Sequence, residues 1–277
     1  MQKHPNVQII MKLFALAMLS LVSSVTVCSG FSKEVGIHSG TYGNDDVEVF
    51  QPEEVTYHLT GGDGVFYEGA FTFDNYNPDK GGAGNRQGVF SGYSTHFSST
   101  EGTSLGFHCT GLNPGKNSSA SKSFIFVMGP WESGEEFVAP QVTFQDLGDL
   151  SFIADNMDMI GITDGATAGT SGGRYGKADL VSFNNVGNIE FRGLNHGGIG
   201  FSRLNSLAFT NTGDISFTDM KMGYSSHGGA IFINQGGDSS LYSKPGDGNI
   251  SFDHTGNIIF RNLVKTSYYM SSAGIFT

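Results

Sequence analysis

The residues of this chain that could carry chemistry are serines in G-x-S-x-G settings, eight histidines, Cys109 and several close carboxylates. Gly102-Thr103-Ser104-Leu105-Gly106 and Gly169-Thr170-Ser171-Gly172-Gly173 have the spelling of a nucleophile elbow. An elbow needs a strand-to-helix turn to lift the hydroxyl out of the sheet, and no helical pattern follows either site. Calcium repeats of the type G-G-x-G-x-D are incomplete: Gly61-Gly62-Asp63-Gly64 leads to Phe66 and Gly81-Gly82-Ala83-Gly84 to Arg86, where the ligand Asp belongs. Asp238 and Asp247 offer at most adventitious calcium contacts. The histidines form no H-x-x-x-H pair, and Cys109 neighbours only His108, so no zinc ligand set is spelled out. No catalytic residue, metal or cofactor is therefore expected.

Carboxylates make the strongest enzymatic case, because glycosidases work with Asp or Glu pairs on one surface. Asp149 and Asp214 occupy equivalent places in a repeated phrase, but Asn188 and Asn257 fill the same place in its other copies. Catalysis does not survive that exchange and turn geometry does, so all four read as structural. Asp45-Asp46, Glu53-Glu54 and Glu135-Glu136 read as solvated charge. Trp131 reads as a packing residue or an exposed contact for sugar or protein.

The phrase itself occurs four times: V-T-F-Q-D-L-G-D-L-S-F from Val142, V-S-F-N-N-V-G-N-I-E-F from Val181, L-A-F-T-N-T-G-D-I-S-F from Leu207 and I-S-F-D-H-T-G-N-I-I-F from Ile250. Its anchors are Phe144/Phe152, Phe183/Phe191, Phe209/Phe217 and Phe252/Phe260. Apolar residues alternate on either side of Gly148-Asp149, Gly187-Asn188, Gly213-Asp214 and Gly256-Asn257, which is the period of half-buried strands meeting at a corner. Glycine at the corner is expected to supply positive φ, and the Asx side chain to bond its own backbone. A second element recurs as G-G-I-G-F from Gly197, Gly228-Gly229-Ala230-Ile231-Phe232, and S-A-G-I-F from Ser272, a tight bend leading to another inward strand. One such unit cannot bury its own apolar face, so stacked copies must make the core.

Composition agrees with an all-β chain: 41 Gly and 23 Phe against 15% charged residues, and no long amphipathic helical period past the first thirty residues. Residues 1–30 read as a secretory signal peptide, with Lys12 before an apolar run and small residues near Ser29 and Gly30; Met11 is an alternative start. Lipoprotein cleavage at Cys28 is disfavoured by the bulk of Val27. No later segment is apolar enough to span a membrane as a helix. Removing the signal takes Lys3 and Lys12 from the 15 basic residues, leaving 13 against 26 acidic ones, a surface that repels nucleic acid. Cys109 is then alone, read as a buried thiol or, alternatively, as one half of an intermolecular disulfide.

Residues 31–140 lack the phrase and are expected to form an irregular N-terminal β cap, with loops from Asn75 and from Gly111 to Ala120. Residues 141–277 form the repeat region, with Asp155 to Lys177 as its longest insertion. The array stops inside a copy of its second motif, so a truncated array is expected.

These residues resemble the chlamydial polymorphic outer membrane proteins, autotransporters whose passengers carry G-G-A-[ILV] and F-x-x-N repeats. Gly228-Gly229-Ala230-Ile231 matches the first motif, and Phe209-Thr210-Asn211-Thr212-Gly213-Asp214-Ile215-Ser216-Phe217 looks like a phrase that often precedes them. No strict F-x-x-N occurs, and Gly197-Gly198-Ile199 and Ala273-Gly274-Ile275 are degraded forms of the other motif. The resemblance implies a right-handed parallel β-helix; an antiparallel meander or sandwich is the alternative. It also implies an exported passenger at the outer membrane or cell surface, secreted, or periplasmic, without the family's C-terminal barrel. Such a passenger is a non-enzymatic adhesion or interaction protein whose partners are host-cell surface or other envelope proteins. A β-helix carbohydrate-active enzyme and a degenerate remnant are the other readings.

Overall fold

Each copy of the phrase folds as strand, corner, strand, and equivalent residues of successive copies lie side by side in parallel register. The computed structural model describes residues 31–35, 51–60, 64–72, 86–113, 121–127, 140–164, 178–201, 204–222, 229–233, 248–265 and 273–276. The signal segment, Trp131, Ser171, Gly228, Asp238 and Asp247 lie outside them. A strand β1 (Phe31–Val35) precedes β2 (Gln51–Leu59), β3 (Val65–Thr72) and the long β4 (Arg86–Ser99). The next coil adds β5 (Leu105–Asn113) and β6 (Ser121–Val127). The four phrases then supply β7 (Gln141–Leu147) with β8 (Leu150–Met157), β10 (Ala178–Val186) with β11 (Ile189–Leu194), β13 (Leu204–Thr212) with β14 (Ile215–Thr218), and β17 (Asn249–Thr255) with β18 (Ile258–Arg261). The second motif supplies β9 (Met159–Thr163), β12 (Ile199–Phe201), β16 (Gly229–Ile233) and β20 (Ala273–Phe276). Two short strands, β15 (Lys221–Met222) and β19 (Val264–Lys265), pair at the corner before β16 and β20.

All described pairings are parallel, which excludes the antiparallel alternative and defines a parallel β-helix with three faces. The first face runs β1, β2, β4, β7, β10, β13, β17; the second β3, β5, β8, β11, β14, β18; the third β4, β6, β9, β12, β16, β20. β4 belongs to two faces because its first half pairs with β6 and its second with β2 and β7. The core fills the tube. Phe144, Phe183 and Phe209 are 0% exposed, as are Phe152, Phe191 and Phe217. Their rings stack coil on coil with centroids 4.7–4.8 Å apart along the first column and 4.8–4.9 Å along the second. Stacked pairs contribute about 0.5–1.5 kcal/mol each beyond burial.

The region 31–140 departs from the expected irregular cap, because two further coils continue both columns. Tyr57 stacks on Phe97 and Phe97 on Phe144; Tyr67 stacks on Phe107 and Phe107 on Phe152. These anchors are ten residues apart rather than eight, and two are Tyr, so the phrase is disguised by a longer corner. Phe90, from the third face, meets Tyr57, Tyr67 and Phe97 edge-on. Gly111 to Asn113, expected as loop, belongs to β5, and Asp155 to Thr163, expected as insertion, belongs largely to β8 and β9.

The corner glycines also work differently from expectation. None of Gly148, Gly187, Gly213 or Gly256 has positive φ. Each is small because the neighbouring coil presses on it: a Cβ at Gly187 would lie 2.6 Å from Asp149 Oδ1, and one at Gly213 2.6 Å from Asn188 Oδ1. The left-handed conformation falls two residues after the first Phe instead, at Asp146, Asn185, Asn211 and His254, with φ of 51–55°. Asn and Asp tolerate that region better than other side chains. In the second motif, Gly161, Gly198 and Gly274 leave room for the second ring column; a Cβ at Gly198 would lie 2.7 Å from Phe217.

Gly213→Ala and Gly198→Ala should each lower unfolding free energy by about 1–3 kcal/mol. Gly200→Ala, whose Cβ meets nothing closer than 3.7 Å, should be near neutral. Denaturant titration of the three variants checks this ranking.

Candidate interaction surface

The corner residues that looked most like catalytic carboxylates are engaged with one another along the helix axis. Asn188 N–H donates to Asp149 Oδ1 at 2.8 Å, Asp214 N–H to Asn188 Oδ1 at 3.0 Å, and Asn257 N–H to Asp214 Oδ1 at 2.8 Å. Asp149 N–H donates to Ser104 Oγ at 2.9 Å, so the serine of the first G-x-S-x-G is the same ladder one coil earlier. No helix follows Ser104; β5 does. The side chains thus bond the backbone of the next coil, not their own turn. A second ladder joins the left-handed positions, with Asn185 Nδ2 donating to Asp146 Oδ1 at 2.8 Å. A third, at the other corner, has Asn262 Nδ2 donating to Asp219 Oδ1 at 2.8 Å. Asp179 bridges three coils, accepting from Gln141 Nε2 and Asn205 Nδ2. No two adjacent coils carry carboxylates in one of these ladders. At a step of about 4.8 Å, two carboxylates would repel by about 1 kcal/mol even in water-like surroundings.

One constellation escaped the sequence, because it crosses coils. His96 and Thr143 occupy the same outward column of the first face, and His96 Nδ1 lies 2.7 Å from Thr143 Oγ1. His96 Nε2 lies 3.3 Å from Glu54 Oε1. Hydroxyl, imidazole and carboxylate stand in the order of a nucleophilic triad. Thr143 is in the middle of a parallel sheet, however, where the backbone N–H groups serve the ladder and cannot also receive an oxyanion. Burial holds the His96 imidazole below its ordinary pKa of 6.5, with Glu54 opposing, and burial does the same to His196, opposed by Asp158.

Cys109 is placed as a buried free thiol. It is 0% exposed inside the second coil, its Sγ 3.3 Å from Gly111 O and 3.6 Å from Met157 Sδ. Burial pushes the thiol up to about 11, so it is neither ionised nor reachable by another chain while the coil is closed.

Two open grooves lie at the corners. At the first corner one is lined by Ser99, Gly102, Asp146 and Asn185. At the second, an open groove of about 670 Å³ is lined by His108, Asp155, Arg192, Asp219, Lys221 and Asn262, among others. Among the described residues, two carboxylates line it. Asp155 contacts His108 Nε2 at 3.3 Å, and Asp219 accepts from Asn262. Among the described residues no His, Cys, Asp and Glu group could hold a metal ion, and no helix is long and apolar enough to cross a membrane. Exposed apolar side chains gather on the last described coil, at Ile258, Phe260, Val264 and Ile275. Comparison with protein-family models, with curated proteins and with solved structures found no match.

Asn188→Asp would place carboxylates in three consecutive coils of the corner ladder. It should cost about 1–2 kcal/mol at neutral pH and recover on acidification through the carboxylate range, read by denaturant titration at several pH values. His96 and His196 set a second pH dependence. Their folded pKa values lie below the unfolded 6.5, so their contribution is full above 6.5 and declines as pH falls from there toward the folded values. A His96→Gln, His196→Gln double variant should flatten the stability profile in that window.

Proposed function

We propose that the chain is an exported, non-catalytic interaction protein, a passenger-type β-helix of the kind found in the chlamydial polymorphic outer membrane proteins. One observation carries this reading: the hydrogen-bonding groups that decorate its corners are spent between coils. Asp149, Asn188, Asp214 and Asn257 hold coil to coil, so the residues most like an acid/base pair are mortar. What remains outward among the described residues includes open, shallow grooves at both corners, the form in which solenoids meet other macromolecules. The partners on this reading are host-cell surface or other envelope proteins, and the location is the outer membrane, the cell surface or the surrounding medium. The second reading, a carbohydrate-active enzyme, rests on Asp155 and Asp219 lining one groove. Both carboxylates already hold contacts within the protein, Asp155 with His108 and Asp219 with Asn262.

Purified full-length chain should bind host cells saturably and release no reducing sugar from a panel of polysaccharides. Failure to bind, with the β signal intact by circular dichroism, would sink the interaction reading. Sugar release that disappears in Asp155→Asn and Asp219→Asn would establish the enzymatic one.

A further inference from the structure

Among the described residues, the cationic side chains of this acidic protein are not evenly spread. The chain has a net charge of −11, yet the four basic side chains placed by the structure, Lys122, Arg192, Lys221 and Arg261, all belong to strands that border the second corner. Arg192, Thr218 and Arg261 form one outward column of the second face, in register across three coils, and Lys221 lies just past that column in the middle coil. Arg192 and Lys221 line the open groove. The charges around them are unequal in availability. The groove's carboxylates are engaged by His108 and Asn262, whereas Lys221 and Arg261 make no ion pair with a described residue and Arg192 meets Glu190 only through Nε at 3.6 Å. The first corner carries Asp146, Asp149 and Asp214 and no placed cation.

We infer that the second-corner groove binds a linear acidic polysaccharide along the helix axis, through Arg192, Lys221 and Arg261 on three successive coils. This deepens the interaction reading, on which it rests, by naming a ligand class. The step between coils is about 4.8 Å. An extended peptide presents same-side groups every ~6.7 Å, out of step with the coils. A polyuronate advances by roughly one coil step per sugar and offers a carboxylate on each, so successive sugars meet successive cations. Asn262 Oδ1 and His108 Nδ1, the atoms not used in the contacts to Asp219 and Asp155, supply hydrogen bonds to ring hydroxyls. The ligand must be multivalent, since each exposed contact alone is weak.

The test titrates the full-length chain with polygalacturonate, its fully methyl-esterified form, neutral dextran and polyglutamate. Polygalacturonate should bind at low salt, weaken as salt rises, and lose affinity by about tenfold or more in the Arg192→Gln, Lys221→Gln, Arg261→Gln variant. That variant should keep its circular dichroism spectrum and unfolding midpoint, because all three side chains are exposed or half-exposed; Gln145→Ala on the first face serves as a folded control with unchanged binding. The proposal is overturned by absence of binding, by equal binding of the esterified polymer, by an unaffected triple variant, or by preference for polyglutamate. Host-cell binding that survives in the triple variant while polygalacturonate binding is lost would support this site and place the cell contact elsewhere. Cell binding lost with polymer binding retained would leave this site standing without the broader reading.

Discussion

The backbone ladder sets a single step along this molecule, and every other interaction has to repeat at that step. Parallel strands hydrogen-bond at about 4.8 Å, and the phenylalanine rings of the four phrases stack at 4.7–5.3 Å because their backbones leave them no other spacing. Near-parallel rings at that distance are in contact along the whole column of the four phrases. The glycines follow from the same constraint, since a corner drawn this close to the previous coil has an Asx oxygen where a Cβ would be.

Strict repetition carries a penalty that the sequence avoids. A charged residue placed at one position of every coil would set like charges in a row. The ladders alternate instead, Asp149 with Asn188 and Asp214 with Asn257, so that a carboxylate oxygen and an amide oxygen perform the same acceptor role with half the charge density. The exchange that argued against catalysis is therefore itself physically motivated, and it lets the chain remain acidic overall without repulsion concentrating along one edge.

Much of this was legible from residue order. Period-two alternation around Gly-Asx fixed the strands and the corner, and the copies predicted the stack, because Val181, Phe183, Ile189 and Phe191 have only their counterparts to pack against. Other features were hidden for definite reasons. The Tyr57/Tyr67 and Phe97/Phe107 coils change both ring type and corner length, so they do not align by eye with an eight-residue phrase. The left-handed Asp146, Asn185 and Asn211 are visible as Phe-x-Asx, but nothing in one copy says which Asx bends the backbone and which bridges coils. His96 with Thr143, and the Arg192–Arg261 column, are separated by tens of residues and become neighbours only through register.

Only two residues separate β12 from β13, whereas fourteen separate β9 from β10 and fifteen separate β16 from β17. The seam from the third face back to the first therefore absorbs length changes that the Phe-to-Phe corner of the four phrases does not, at a closure cost of only ~0.6 kcal/mol per doubling. Evolution can thus lengthen, shorten or graft whole segments there while the tube beneath stays in register, which makes that seam one of the places where the molecule is free to diversify.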